Sequence, residues 1–497
     1  MPISAGSSLC PPFIQDELQH RREISRWMNR VSLRIVYVED FGAVGDGATD
    51  DTDAFNAALI YLGNSGNGGI VRTLSRFYRI DGTININGNS CTLEGTGWGG
   101  TTTLYKPTCT DPVISVTGLS CTVRNFRILG VVGSTGNNFA IYVNAVASVF
   151  RILEVEIFFF ANGILLLSGK FLLDNVSMQS LRIASGVAIQ IDQSALTDGV
   201  GIIHNCYVEN AVGEDIFSGL YMVHAVGIVI TNTSFLKCGS AVSMVPKGAG
   251  NGITACDFNT CTSDTSSGAG IFIDTTPNGG RVERIRYVNG WLCSNQYGIR
   301  AIAGSNLNSI VVDACECFDN SVNGFDFGNS LVSDNIQIAN CVFSHNTGTD
   351  LKFGTSLSSF SVCNCKTGIA GNFGTATPNG LLIGTACSEY VLSGNRFHQV
   401  TINASMPSLS CSATVTLALN QPHFNLIGSG SISVALNGFL GREATLFVNK
   451  DIVVFRHNGL LTNGLSLNNN IDYTASTGAT LSLVHNGSQW FEKSRKI

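Results

Sequence analysis

Between about residue 186 and residue 400 one short pattern keeps returning. Ile203-His-Asn205-Cys206-Tyr-Val208 is echoed by Ile230-Thr-Asn232-Thr-Ser-Phe235 and Ile253-Thr-Ala-Cys256-Asp-Phe258. Tyr287-Val-Asn289-Gly-Trp-Leu292, Val312-Asp-Ala-Cys315-Glu-Cys317 and Ile338-Ala-Asn340-Cys341-Val-Phe343 continue it, and Val362 to Thr367 and Leu392 to Phe397 close the series. Successive copies lie about 23 to 34 residues apart, a period that announces a stacked array. Inside each copy apolar residues alternate with polar ones, as in a strand with one buried face. No helical stripe separates the copies, so a parallel β-solenoid with one copy per coil is expected.

A second strand recurs in each coil. Gly186-Val-Ala-Ile189-Gln-Ile191-Asp192 matches Gly268 to Asp274, Gly298-Ile299, Gly324 to Phe327 and Asp350 to Phe353. Gly-rich turns precede it, suiting corners that need positive φ. Asn205, Asn232, Asn289, Asn340 and Asn364 recur at the corner before the Cys/Phe strand. Asn tolerates left-handed geometry there, and an Asn ladder inside the coil is expected.

Composition supports stacked strands. Charged residues are 13% and Gly 55 of 497, which leaves Ser, Thr and Asn to clothe the outside. The net charge is −6 with 29 basic residues in no dense patch, which argues against nucleic acid as a partner. The longest apolar stretch, Val155 to Leu167, is broken by Asn162-Gly163 and is too short for membrane insertion. Of sixteen cysteines, Cys206, Cys256, Cys315, Cys341 and Cys365 fall in one repeating slot and read as a buried ladder of small apolar side chains. Their spacing fits neither a disulfide scaffold nor a zinc site, so no metal or other cofactor is expected. Free thiols and a start without a basic, apolar leader point to synthesis in a reducing cytoplasm.

Three regions are expected: 1–37, 38–404 and 405–497. In the first, Ile14, Leu18, Ile24, Trp27, Met28 and Val31 make an amphipathic helix; Trp27 and Met28 suit either ordinary packing or an attachment surface. In the second, Thr49 to Asp51 offer caps to a helix from about Thr52 to Leu62 that closes the first coil. Apolar Phe158 to Phe160, Leu165 and Leu167 reach outward positions and would need covering by a neighbouring subunit. In the third, Asn437-Gly438, Asn458-Gly459, Asn463-Gly464 and Asn486-Gly487 favour hairpins, giving an antiparallel β module with Trp490 and Phe491 packed.

The segment Asp40-Phe41-Gly42-Ala43 to Asp50-Asp51-Thr52, followed by Gly69, Tyr78-Arg79-Ile80 and Leu93-Glu-Gly95-Thr-Gly97, resembles the start of pectate-lyase-like right-handed β-helices, most closely those of bacteriophage tailspike proteins. It covers about residues 38 to 105. The resemblance implies an all-β, right-handed parallel β-helix, assembled as a homotrimer and joined to a phage tail or adaptor protein through its N-terminus, with the module of 405–497 serving trimerisation or carbohydrate binding. It also implies a virion-tail location and a function of binding, and often cleaving, a bacterial surface polysaccharide: capsule, exopolysaccharide or O-antigen. The pectin-hydrolase set of Asn-Thr-Asp, paired Asp, Gly-His-Gly and Arg-x-Lys is missing from the coils, as is the Arg-x-Pro-x-x-Arg lyase signature, so pectin is not the expected substrate.

Hydrolysis of a glycosidic bond uses two carboxyl groups, one protonated and one ionised. Lining up the coils gives one column, the residue between the two inward positions of the Cys/Phe strand. It reads Arg127, Glu156, Ser177, Tyr207, Ser234, Asp257, Trp291, Glu316, Val342, Lys366, Arg396. Tyr207 and Trp291 there can stack on sugar faces, with Asp257 and Glu316 two coils apart, about 9.6 Å between backbones. Glu209 follows Tyr207 on the same face, and Asp215 opens the next coil. Asp257, Glu316, Glu209 and Asp215 are therefore the candidate catalytic acids; the alternative for each is a solvated charge on a sheet face. A second outward column holds Gln190, Tyr221, Ser243, Phe272, Arg300, Asp326 and Lys352. Tyr221, Phe272 and Arg300 join Tyr207 and Trp291 as candidate substrate-binding residues, while Arg300, Asp326 and Lys352 also suit a salt-bridged face or subunit contact. His204 and His224 stand isolated. A non-catalytic receptor-binding spike or adhesin, and a polysaccharide lyase, remain the alternatives to a hydrolase.

Overall fold

A computed structural model describes residues 34–402, apart from connecting segments such as 132–137, 211–215 and 368–379, together with the strands of 408–496. The expected helix over residues 13–31, with Trp27 and Met28, lies outside the described residues, as does Asp215. The chain divides into two compact units, Met1–Ala241 and Val242–Ile497. Each is a run of parallel β coils, so the expected solenoid is the fold that forms.

The first unit begins with Ile35–Tyr37 pairing parallel to Gly69–Arg72, which pairs on to Cys91–Glu94 and then Thr122–Leu129. The one described α-helix, α1 (Thr52–Gly63), buries Phe55, Ala58, Leu59 and Leu62 against the strands Gly69–Arg72 and Ile84–Ile86. Its start is held by the acidic run before it. Asp50 Oδ1 accepts the Thr52 N–H at 3.0 Å, satisfying one of the amides left open at a helix N-terminus. The Asp51 carboxylate turns the other way and accepts Val44 N–H and Gly45 N–H at 2.6 and 3.1 Å. The acidic motif therefore both starts the helix and ties down the loop before it. Outward from these coils, Glu94 receives Arg72 and Arg124, each at 2.7 Å, from the two flanking coils. Phe158, Phe159, Leu165 and Leu167 are half-buried, whereas Phe160 is an inward core residue.

In the second unit each coil has a long strand, a short strand and a third strand on another face. Gly252–Asn259, Arg281–Val288, Asn306–Asp313 and Val332–Ala339 are the long ones, stacked in parallel register. Thr262–Asp264, Trp291–Cys293, Glu316–Phe318 and Val342–Ser344 are the short ones. Left-handed residues punctuate them at every fifth position: Ala255, Thr260 and Thr265 in one coil, Arg284, Asn289 and Ser294 in the next, then Ser309, Ala314 and Asp319, then Asn335, Asn340 and His345. Each such residue costs about 1–2 kcal/mol for a non-glycine side chain. The return is that the bend resets the in–out alternation, so the residue after each bend points inward and is buried: Cys256 and Cys261, Ile285 and Gly290, Ile310 and Cys315, Ile336 and Cys341.

This geometry corrects two expectations. Asn205, Asn232, Asn289, Asn340 and Asn364 do adopt left-handed φ, but they are exposed at the bends and not inside the coil. The internal ladder is built by other asparagines, one bend further on. Asn295, Asn320 and Asn346 are all buried. Asn295 N–H donates to Asn320 Oδ1 and Asn320 N–H to Asn346 Oδ1, both at 3.1 Å. Their side-chain amides donate to Ser263, Leu292 and Cys317 carbonyls. The cysteine ladder is real but shifted by one slot in one coil. Backbone bonds stack Cys261, Gly290, Cys315, Cys341 and Cys365, while Cys256 pairs with Ile285, which pairs in turn with Ile310. Fourteen described cysteines are free thiols.

Coils persist to Val400–Ile402, which pairs with Leu381–Ile383. Beyond them the strands mix directions. His423–Ile427 pairs parallel with Ser408–Ser410 and Glu443–Val448. Thr480–His485 pairs antiparallel with Glu443–Val448 and with Trp490–Lys496, the strands that flank Asn486-Gly487. Trp490 is fully buried, and Phe491 is partly exposed.

Candidate functional site

The short strands of the second unit place one outward column in register: Thr262, Trp291, Glu316, Val342, then Lys366 and Arg396. From Trp291 onward this is the column expected from the sequence. Its first member is Thr262 and not Asp257. Asp257 belongs to a long strand, in register with Arg286, whose neighbour in the following coil is Val311. Asp257 and Glu316 therefore do not face each other two rungs apart on one column. The cause is the five-residue spacing of bends, which makes Ile253-Thr-Ala-Cys256 and Phe258-Asn-Thr-Cys261 near-copies within the same coil.

Trp291 is 49% exposed yet held in place. Its indole Nε1–H donates to Glu316 Oε2 at 2.8 Å, and Phe318 meets it edge to face at 5.6 Å and 84°, a favoured aromatic geometry. The next outward column is Asp264, Cys293, Phe318 and Ser344. Asp264 thus lies on the coil before Trp291 and Glu316 on the coil after it. One Asp264 oxygen, Oδ1, is buried without a hydrogen-bond partner. Its neighbour Cys293 has a thiol pushed up to about 12 by burial and then by the Asp264 charge, so it stays protonated at neutral pH. Asp264 and Phe318 were not singled out from the sequence. The signal for Asp264 was its position two residues beyond Thr262, visible only once the coil's phase is known.

In the first unit Arg127, Glu156, Ser177, Tyr207 and Ser234 are in register as expected. Arg127 and Glu156 pair at 2.8 Å. Tyr207 Oη donates to Glu209 Oε2 at 2.6 Å, and Lys237 Nζ to Glu209 Oε1 at 2.7 Å. The Lys237 bond, then the Tyr207 bond, hold the Glu209 carboxyl below the usual carboxylate range. Burial and Glu209 push the Tyr207 phenol up to about 12. Glu209 is therefore a fixed anion that already holds the Lys237 cation, a weakened base and unsuited to protonate a leaving group.

On the other outward column Phe272, Arg300, Asp326 and Lys352 are in register within the second unit. Lys352 pairs with Asp326 at 3.1 Å, and Arg300 lies over the Tyr297 ring at 4.6 Å. Tyr221, in the first unit, packs against Phe217 at 5.5 Å. His204 is not isolated: its Nδ1 lies 2.9 Å from Asp174 Oδ1. Burial pulls the His224 imidazole down, with Asp192 opposing. No group of metal-binding side chains is found among the described residues, and no described helix is long and apolar enough to cross a membrane.

No family model matches the chain, and no curated protein matches it in sequence. Among solved structures it is similar to the pre-mature gene product 12 of bacteriophage phi29, with a TM-score of 0.55 and 11% identity over 84% of this chain and 65% of that one. Two others are the Dettilon tailspike protein (TM-score 0.49, 13% identity, 97% of this chain and 81% of that one) and the A-module of the Azotobacter vinelandii mannuronan C-5 epimerase AlgE4 (0.48, 13%, 79% and 100%). At 11% identity the phi29 likeness is one of fold, and with the coil register above it makes this chain a parallel β-helix protein sharing the architecture of a phage protein.

Proposed function

We propose that this chain is a bacteriophage tail spike that binds a bacterial surface polysaccharide (capsule, exopolysaccharide or O-antigen) along the outward face of its second unit and cleaves it by glycoside hydrolysis. The observation that carries the reading is Trp291, an exposed indole braced by Phe318 and bonded to Glu316, with a second carboxyl, Asp264, on the opposite coil. A large exposed aromatic face of this kind stacks on the apolar side of a sugar ring. Glu316 and Asp264 lie two rungs and two residues apart, about 12 Å between backbones, so side chains leaning inward reach the separation of about 6.5–9.5 Å that leaves room for a water in inverting hydrolysis. In this reading one carboxyl protonates the leaving oxygen while the other activates that water. Asp257 lacks that placement.

A trimer is supported by the first unit's outward column Leu172, Ile202 and Val229, in register on three coils. Ile202 and Val229 are 42% and 38% exposed, a stripe that a neighbouring subunit would cover. Residues 1–37 would then join the trimer to the phage tail or an adaptor protein. Light scattering gives the mass directly, and Ile202→Asp with Val229→Asp should release monomers.

The functional test is incubation with purified surface polysaccharides from a panel of bacterial strains. New reducing ends without ultraviolet absorbance of an unsaturated uronate establish hydrolysis. Both signals together mean a lyase. Retention of a polysaccharide without either means a spike that binds only.

A further inference from the structure

The column that carries Trp291 and Glu316 ends in two cations, Lys366 and Arg396, on consecutive coils. Both are exposed. Like charges directly opposite on neighbouring strands destabilise a sheet, so the fold gains nothing from this pairing. Several other cations of the second unit meet a carboxylate, Arg281 and Arg284 at Glu283, Lys352 at Asp326 and Arg495 at Glu492, and Arg300 lies over the Tyr297 ring. Among the described residues no carboxylate reaches Lys366 or Arg396, although the chain as a whole is acidic, with a net charge of −6.

From this we infer that the polysaccharide taken by the second unit is anionic, with Lys366 and Arg396 receiving its charged groups. The inference rests on the proposed sugar-binding role of Trp291 and specifies its ligand. The column runs parallel to the coil axis, and successive rungs are about 4.8 Å apart. The indole therefore lies about 14 Å from Lys366 and about 19 Å from Arg396 along one straight line. A glycan strand stacked on Trp291 and extended along the axis passes Glu316, crosses the apolar Val342 rung, and brings its next repeat onto the two cations. The ammonium and guanidinium together suit carboxylates of acidic sugars or phosphodiesters in the repeat; both are anions that accept charge-assisted hydrogen bonds. A neutral glycan leaves the two like charges unrelieved.

The test uses the full-length protein and the same strain panel, sorted into uronate-bearing, phosphate-bearing and neutral polysaccharides, with affinity measured at about 50 and about 500 mM NaCl, where screening lengths differ severalfold. The expected result is retention of anionic polymers only, with affinity falling at high salt. Lys366→Gln with Arg396→Gln should weaken binding at least tenfold and remove most of the salt dependence, and Lys366→Arg should keep it. Both side chains are exposed, and a melting curve unchanged in the double variant shows that the fold is intact. Carboxyl reduction of the bound polymer abolishing retention identifies carboxylates; loss after mild hydrofluoric acid identifies phosphodiesters. Retention of a neutral polymer, or wild-type affinity in the double variant, overturns the inference while a loss in Trp291→Ala still upholds the sugar site. Unchanged binding in Trp291→Ala overturns the underlying reading instead.

Discussion

The indole N–H of Trp291 donates to Glu316 Oε2 across 2.8 Å, from one coil to the next. A stacking platform and a carboxylate are thereby fixed to each other by backbone register on one side and by this bond on the other. Glu316→Gln keeps size and polarity but cannot take or give a proton. It should lower the rate of polysaccharide cleavage by about 10²–10⁴-fold while leaving polymer binding within a few fold. Trp291→Phe keeps a stacking face and removes only the indole donor, so it should lower turnover more than affinity. Reducing-end assays beside a pull-down of intact polymer read both. Full activity in Glu316→Gln removes it from the chemistry.

Asn320 carries the internal ladder. Its side-chain oxygen accepts Asn295 N–H, and its amide donates to Leu292 O and Asn346 Oδ1 at 3.0 and 2.8 Å. Asn320→Ala strands several buried polar groups at once and should destabilise the second unit by about 2–4 kcal/mol, since each buried unsatisfied group costs about 1–3 kcal/mol. The exposed Asn340 makes a fairer control than a random site: Asn340→Gly keeps the left-handed bend and should be nearly neutral. Denaturant midpoints compared at equal slope decide it. Equal losses at both positions would show that the ladder is incidental.

The coil period, the parallel stacking and the outward column from Trp291 to Arg396 were all readable in the sequence, because inward Ile, Val, Cys and Phe must alternate with exposed residues to build a core. The phase within one coil was not. Bends at Ala255 and Thr260 make two successive pentads of that coil look alike, and neither bend carries the Asn that marks Asn289, Asn340 and Asn364. The sequence pattern therefore places Asp257 on the column that Thr262 occupies, and gives Asp264 no signal of its own. The buried asparagines were legible in principle as Ser294-Asn295, Asp319-Asn320 and His345-Asn346, one per coil. Nothing in their local sequence said which Asn of each coil pointed inward.

Gly290 interrupts the cysteine stack between Cys261 and Cys315, and the space is filled by Tyr287. A Cβ on residue 290 would lie 2.2 Å from Tyr287 Cε1. That ring cannot swing away, being buried with its hydroxyl donating to Cys261 O at 3.0 Å. Gly290→Ala should therefore destabilise by about 1–3 kcal/mol, as overpacking does. Tyr287→Leu in the same chain should recover part of that loss, giving a clearly non-additive double-mutant cycle. Additive losses would place the strain elsewhere.

Glu209 supplies a pH-dependent contribution in the first unit. Its carboxyl is held below the usual carboxylate range by Lys237 first and Tyr207 second, and Tyr207, pushed up to about 12, remains a donor throughout the acidic range. A carboxyl with a folded-state pKa below its unfolded value of about 4.3 contributes stability that is complete above that value. The contribution is lost as pH falls through the folded-state value. Lys237 and Glu209 side chains are 35% and 30% exposed, so solvent screening keeps the effect under about 1 kcal/mol. Glu209→Gln should thus be less stable than the parent protein at about pH 6, and the gap should narrow as pH falls below about 4 and through the folded-state value, where protonation removes the parent's advantage. Urea midpoints of the two proteins across that interval measure the gap. A gap that stays constant with pH would mean that Glu209 contributes through packing and not through its charge.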